Sequence, residues 1–247
     1  MQHSVTKRAC VEGAAPLTAV FAHRGATASA RENTLEAFAE ARALGADGVE
    51  LDVRRSRDGA LVVHHDEWVE GAGLIAALDV ADLPGYVPLL AEVVEVCGPM
   101  MVNIELKNDP GEQGFDPSEA TAVAVAHLLA ESGWWERVVV SSFRSASIDA
   151  LRAVDDRPPI GWLLGLMADA PAALDEAIDR GYDALHPFVT QVSPELVERA
   201  HVAGISLAVW TVNAPHDIEH LAALGVDTII TDTPAEALAI VGRAPLG

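Results

Sequence analysis

Glu50 and Asp52 stand two residues apart in an otherwise apolar run, Gly48-Val49-Glu50-Leu51-Asp52-Val53. In an extended chain they share one face, while Val49, Leu51 and Val53 take the other. Two carboxylates on one face repel each other and lose hydration, which is costly unless a cation or hydrogen bonds compensate. The alternative is a half-exposed strand with a solvated polar face. A second run, Asn103-Ile104-Glu105-Leu106-Lys107, sets Glu105 and Lys107 on one face in the same way. If the two runs are neighbouring strands, Glu50, Asp52 and Glu105 converge. Oxygen ligands without thiolate suit one hard divalent cation, Mg²⁺ or Ca²⁺, better than zinc or copper.

Four further residues complete a chemical set. Arg24 and Lys107 are cationic, and His23 and His65 move protons near neutral pH. Arginine binds two phosphate oxygens at once, a metal offsets charge developing in the transition state, and two imidazoles can act as base and acid. That set suits a phosphodiester whose leaving group is a poor alkoxide.

The elements that must position these residues alternate. Strand-like runs at Val20 to His23, Val49 to Val53, Met101 to Leu106, Val138 to Ser142, Ile160 to Leu164, Ala184 to His186, Leu207 to Thr211 and Thr228 to Thr231 are separated by amphipathic helical stretches. The helices are expected at Asn33 to Leu44, Ser118 to Glu131, Ser145 to Val154, Ala170 to Arg180, Pro194 to Ala203 and Pro215 to Leu224. Several end at a glycine suited to a helix C-cap. The pattern predicts a closed (β/α)8 TIM barrel, whose active site forms where the strands end. No dinucleotide-binding glycine motif follows a strand and no P-loop is present.

Leu61-Val62-Val63-His64-His65 interrupts the alternation. It follows the second strand too closely for a parallel crossover, so it must return as an antiparallel hairpin strand. A two-residue Asp58-Gly59 turn sets Asp52 opposite His65, and a longer loop shifts the register toward His64. From Asp66 to Pro88, glycines and prolines predict a loop with at most a short helix.

The formal charge of −21, from 37 acidic and 16 basic residues, opposes nucleic acid or an anionic membrane surface as partner. Only Cys10 and Cys97 are present, which fits a reducing compartment. No signal-peptide core and no run long enough to span a membrane is seen. A cytoplasmic protein with no stable membrane association is expected, with residues 1–17 as a loose leader and 18–247 as a single barrel domain.

The ordered set of motifs resembles the glycerophosphodiester phosphodiesterase family. It comprises His23-Arg24-Gly25, Glu32-Asn33-Thr34, the Glu50 and Asp52 strand, Asp58-Gly59, His65-Asp66, the Glu105 strand, Ser142-Phe143, Trp210-Thr211-Val212-Asn213, and Gly225-Val226-Asp227 with Ile229 to Pro234. The resemblance implies a barrel that hydrolyses glycerophosphodiesters, as small-molecule substrates, to glycerol 3-phosphate and an alcohol. By the same resemblance His23 and His65 become the catalytic imidazoles, Glu50, Asp52 and Glu105 the metal ligands, and Arg24 and Lys107 the phosphate binders. The segment after His65-Asp66 is shorter than the insertion usual in the family.

Other positions have two readings. Trp210 either fills the core or packs on the substrate, and His186 is either a pocket or a core residue. Glu32 is as suited to support or capping as to ligation. His64 is expected to face away from His65. Two other functions compete: a phospholipid-directed phosphodiesterase, acting on a lysophospholipid or phosphoinositide and carrying an exposed apolar rim, and a barrel that only binds a ligand. The oligomeric state is not legible.

Overall fold

A computed structural model describes residues 18–243 of the chain. The predicted leader, and Cys10 with it, lies outside the described residues. In chain order the elements are β1 (Ala19–His23), α1 (Leu35–Ala43), β2 (Gly48–Arg55), β3 (Leu61–Val63), β4 (Trp68–Val69), β5 (Gly73–Leu74), α2 (Leu90–Cys97), β6 (Met101–Leu106), α3 (Ala120–Ser132) and β7 (Val138–Ser142). They continue as α4 (Ser145–Val154), β8 (Ile160–Leu163), α5 (Ala170–Arg180), β9 (Ala184–His186), α6 (Pro194–Ala203), β10 (Ser206–Val209), α7 (Pro215–Leu224), β11 (Thr228–Thr231) and α8 (Pro234–Ile240).

The sheet runs β1-β11-β10-β9-β8-β7-β6-β2, all parallel, and closes where β1 pairs with β2. This is the expected (β/α)8 barrel. The outward residues of the strands, among them Val49, Leu51, Val102, Ile104, Val140, Leu185, Leu207 and Ile229, pack against the helices in one large apolar core. Strand ends match the predicted spans closely. Three parts lie beyond the predicted spans: the small β4 to β5 hairpin, α2, which fills the place of the barrel's second helix, and α8.

The strand register arranges the interior in tiers from alternate strands, as barrel tilt requires. The uppermost of three tiers holds His23, Glu105, Leu163 and Trp210. Beneath it lie Glu50, Ser141, His186 and Ile230, then Phe21, Asn103, Gly161 and Ala208. Glycine is needed at position 161 because an added Cβ would fall 2.3 Å from His186 Nε2.

At the opposite end, Arg243 clamps the barrel shut. Its Nη1 donates to both carboxylate oxygens of Asp47 at 2.6 Å, and its Nη2 donates to the Thr18 carbonyl at 2.7 Å.

Two sequence expectations are corrected at the hairpin. The pairs Val53 with Val63, Arg54 with Val62 and Arg55 with Leu61 leave a three-residue Arg57-Asp58-Gly59 loop. The longer loop sets His64 opposite Asp52, and the His64 N–H donates to the Asp52 carbonyl at 2.9 Å. The physical reason is that Ser56 closes the turn: its N–H donates to the Ala60 carbonyl, while its Oγ accepts from the Ala60 N–H, both at 2.9 Å. Since β3 ends at Val63, strand alternation no longer governs His65, which lies beyond it.

Candidate active site

Glu50 and Asp52 point into the barrel from β2 and Glu105 joins them from β6, because Asp52 and Glu105 are register partners. All three are buried, and one carboxylate oxygen of each lies within 4.8 Å of the others. Burial, reinforced by the Asp52 charge, pushes the Glu50 carboxyl up to about 8. Burial also raises Glu105. For Asp52, burial is outweighed by Lys107 and Arg24, which bring it down to about 2.

The chain's own cations meet this charge only in part. Lys107 Nζ lies 3.0 Å from Asp52 Oδ1 and 2.5 Å from Glu105 Oε1. Neither of those buried oxygens receives a well-directed hydrogen bond. Lys107 thus approaches the triad from one side and leaves oxygen lone pairs directed elsewhere. Three buried carboxylates with unclaimed lone pairs fit a hard divalent cation.

A second structure holds the triad from the β1 side. Arg24 and Asn33 both adopt left-handed backbone, each with φ of 56°. The Asn33 N–H donates to the Arg24 carbonyl at 2.9 Å, and the Asn33 Nδ2 donates to Asp52 Oδ2 at 2.8 Å. Arg24 Nε lies 3.3 Å from the same oxygen, and its Nη1 donates to both oxygens of Glu32 at 3.2 and 3.1 Å. Glu32 therefore holds Arg24 and is not part of the triad, while Thr34 is the N-cap of α1. Asn33 has no role in the sequence reading beyond its place in a motif. Its signal there is the left-handed conformation that asparagine tolerates.

Each of the two imidazoles is held at Nδ1 by an aspartate. His23 Nδ1 lies 2.7 Å from Asp232 Oδ1, and its Nε2 is 3.8 Å from Glu50 Oε2. Burial lowers the His23 pKa, but Asp232 and Glu50 outweigh it and the net shift is upward. His65 Nδ1 lies 2.7 Å from Asp66 Oδ1. Its pKa is lowered, chiefly by burial. His64 instead sets its Nδ1 against the Asp66 carbonyl at 2.8 Å. Asp232 is held in turn by Asn213 Nδ2 at 2.6 Å.

A cavity of about 770 Å³ opens beside the triad, lined by Glu105, Lys107, His65 and residues following β6 and β7. His23, Arg24, Glu50 and Asp52 lie outside its lining. Trp210 shares the upper tier with His23 and Glu105, and its ring meets Phe143 and Phe188 edge-on at 5.4 Å each. His186 is buried below the mouth and outside that lining, with burial lowering it to about 4.

Fold and site together define a (β/α)8 barrel with an acidic, histidine-flanked centre at the carboxyl ends of its strands. Residues 23–236 match the Glycerophosphoryl diester phosphodiesterase family, and the chain belongs to that family. It is 35% identical over 249 residues to a glycerophosphodiester phosphodiesterase of Caldanaerobacter subterraneus subsp. tengcongensis, covering 92% of this chain and 98% of that one. A crystal structure of a putative glycerophosphoryl diester phosphodiesterase from Silicibacter pomeroyi is similar, with TM-score 0.83 and 27% identity over 95% of this chain and 97% of that one. A glycerophosphodiester phosphodiesterase from Thermotoga maritima gives TM-score 0.75 and 28% identity over 90% and 97%.

Proposed function

We propose that this enzyme hydrolyses glycerophosphodiesters to glycerol 3-phosphate and an alcohol, with one divalent cation, Mg²⁺ or Ca²⁺, held by Glu50, Asp52 and Glu105. The observation that carries this reading is the convergence of three buried carboxylate oxygens within 4.8 Å of one another, flanked by two aspartate-held imidazoles. The cation would neutralise phosphoryl charge as it develops.

The remaining roles belong to the chain's own residues. Arg24 and Lys107 bind the non-bridging phosphate oxygens. His65, its pKa lowered chiefly by burial, takes the proton of the attacking hydroxyl, which is either water or the substrate's glycerol 2-hydroxyl; in the second case a cyclic phosphate forms and a water then opens it to glycerol 3-phosphate. His23, its pKa raised by Asp232 and Glu50 against the effect of burial, delivers a proton from Nε2 to the departing alkoxide as the phosphorus–oxygen bond breaks. Trp210 packs its ring on the glycerol or alcohol carbons.

The test is to incubate the purified protein with glycerophosphodiesters and Mg²⁺, Ca²⁺ or chelator, and to assay glycerol 3-phosphate. Turnover should require metal and should be lost in His23→Ala and His65→Ala. Turnover in chelator, or full activity in either variant, refutes the mechanism, and binding without turnover favours the non-catalytic barrel.

A second reading, a lysophospholipid substrate, draws on an apolar rim following β7 and β8. Phe143 is 42% exposed, Leu166 61% and Met167 96%. No helix among the described residues is long and apolar enough to cross a membrane. Efficient release of choline from lysophosphatidylcholine in the same assay would favour this reading.

A further inference from the structure

The cavity beside the triad has a charge balance that the phosphate chemistry leaves unused. Three cations line it, and each is engaged by acid. Arg54 is gripped by Glu112, with Nη1 to Oε2 at 2.8 Å and Nη2 to Oε1 at 2.7 Å. Arg144 Nε donates to Glu119 Oε1 at 2.7 Å, and Lys107 faces the triad. Asp66, Glu67 and Asp109 also line the cavity, and among the described residues none of them is ion-paired to a lysine or arginine.

Two aromatic side chains stand in the same lining with much of their surface open: Trp68 is 50% exposed and Phe143 42%. Aromatic faces beside uncompensated carboxylates attract an alkylammonium group by ring electrostatics and by Coulomb attraction together. A phosphate held at Lys107 places the departing alcohol within reach of this wall, since Lys107 Nζ is 6.0 Å from the Phe143 ring centroid.

We propose that this cavity selects glycerophosphodiesters whose alcohol carries a positively charged ammonium group, with Asp109, Glu67 and Trp68 as the specificity-determining residues. The inference rests on the hydrolytic reading above. It also gives the short segment after His65 a purpose: β4 and β5 present Trp68 as one wall of the cavity.

Two amide substitutions test the charge alone. Asp109 Oδ1 accepts from the Gly111 N–H at 2.7 Å, and Glu67 Oε2 accepts from the Gly114 N–H at 2.8 Å. Asp109→Asn and Glu67→Gln retain an acceptor oxygen for these bonds and remove only the charge. The measurement is kcat/KM for sn-glycero-3-phosphocholine and sn-glycero-3-phosphoethanolamine against sn-glycero-3-phosphoglycerol and sn-glycero-3-phosphoinositol.

The native enzyme should favour the cationic pair roughly tenfold, as a cation–π contact with added Coulomb attraction allows. The double amide variant and Trp68→Ala should each lose most of that preference while keeping kcat/KM on the glycerol diester. Raising the salt concentration should narrow it as well. Equal native efficiency on all four diesters, or an unchanged ratio in both variants, overturns the proposal and leaves the hydrolytic reading intact. Failure to hydrolyse any of the four with either metal overturns both.

Discussion

His23 and Asp232 meet at 2.7 Å although 209 residues separate them in the chain. The contact forms because β1 and β11 are neighbours in the barrel, with Ala22 opposite Thr231. It fixes the His23 ring with Nδ1 toward the aspartate and Nε2 toward Glu50.

Asp232→Asn should therefore impair catalysis without unfolding the protein. Loss of an orienting carboxylate behind a functional imidazole typically costs roughly 10- to 100-fold. The aspartate raises the His23 pKa, so the variant's His23 should lose its proton at lower pH. The descending limb of the kcat against pH profile should shift to lower pH, and an unshifted limb would detach Asp232 from His23 function.

Cation binding should release protons. With Glu50 pushed up to about 8, its carboxyl holds a proton at pH 7 and must shed it to ligate. Affinity should rise with pH up to about 8 and level off above. Calorimetry in buffers of different ionisation enthalpy measures the released proton, and Glu50→Gln should abolish most of the release and weaken binding.

Arg54 is a third point of leverage. It is buried, and it donates from Nε and Nη2 to the His65 carbonyl at 2.8 and 2.6 Å while pairing with Glu112. Arg54→Met removes the anchor of the His65 segment and leaves Glu112 without its partner. Breaking such a pair costs roughly 3 kcal/mol, a fall in Tm of roughly 6 to 12 °C for a chain of this size. Differential scanning calorimetry checks the fall, and activity should drop with it.

Gly25 follows Arg24 with φ of 89°, and an added Cβ would lie 2.7 Å from Ala37 Cβ and 2.8 Å from the Ala37 carbonyl carbon. Backbone cannot yield as a flexible side chain does. Gly25→Ala should destabilise by roughly 2 to 4 kcal/mol, combining left-handed strain with overpacking. Chemical denaturation measures the loss; a neutral result would show that α1 can move away from β1.

Much of this architecture was legible locally. The Glu50 and Asp52 strand, the Glu105 and Lys107 strand, the alternation of strand and helix, and the hairpin after β2 follow from period-two and helical patterning, because side-chain direction along one element depends on spacing alone. The hairpin register was not legible, since it turns on whether Arg57 joins the loop, a choice made by the few hydrogen bonds with which Ser56 closes the turn. Nor was the β4 to β5 hairpin visible beneath its glycines and prolines.

By itself the sequence determined the barrel and the chemical kinds gathered at its mouth. Only the tertiary structure decided which partner each group would have: Asp232 for His23, Asn33 for Asp52, Glu32 for Arg24, and Glu112 for Arg54. These pairings join distant segments. They depend on barrel closure and loop conformation, which no local periodicity encodes, and with burial they set the charge state of each group.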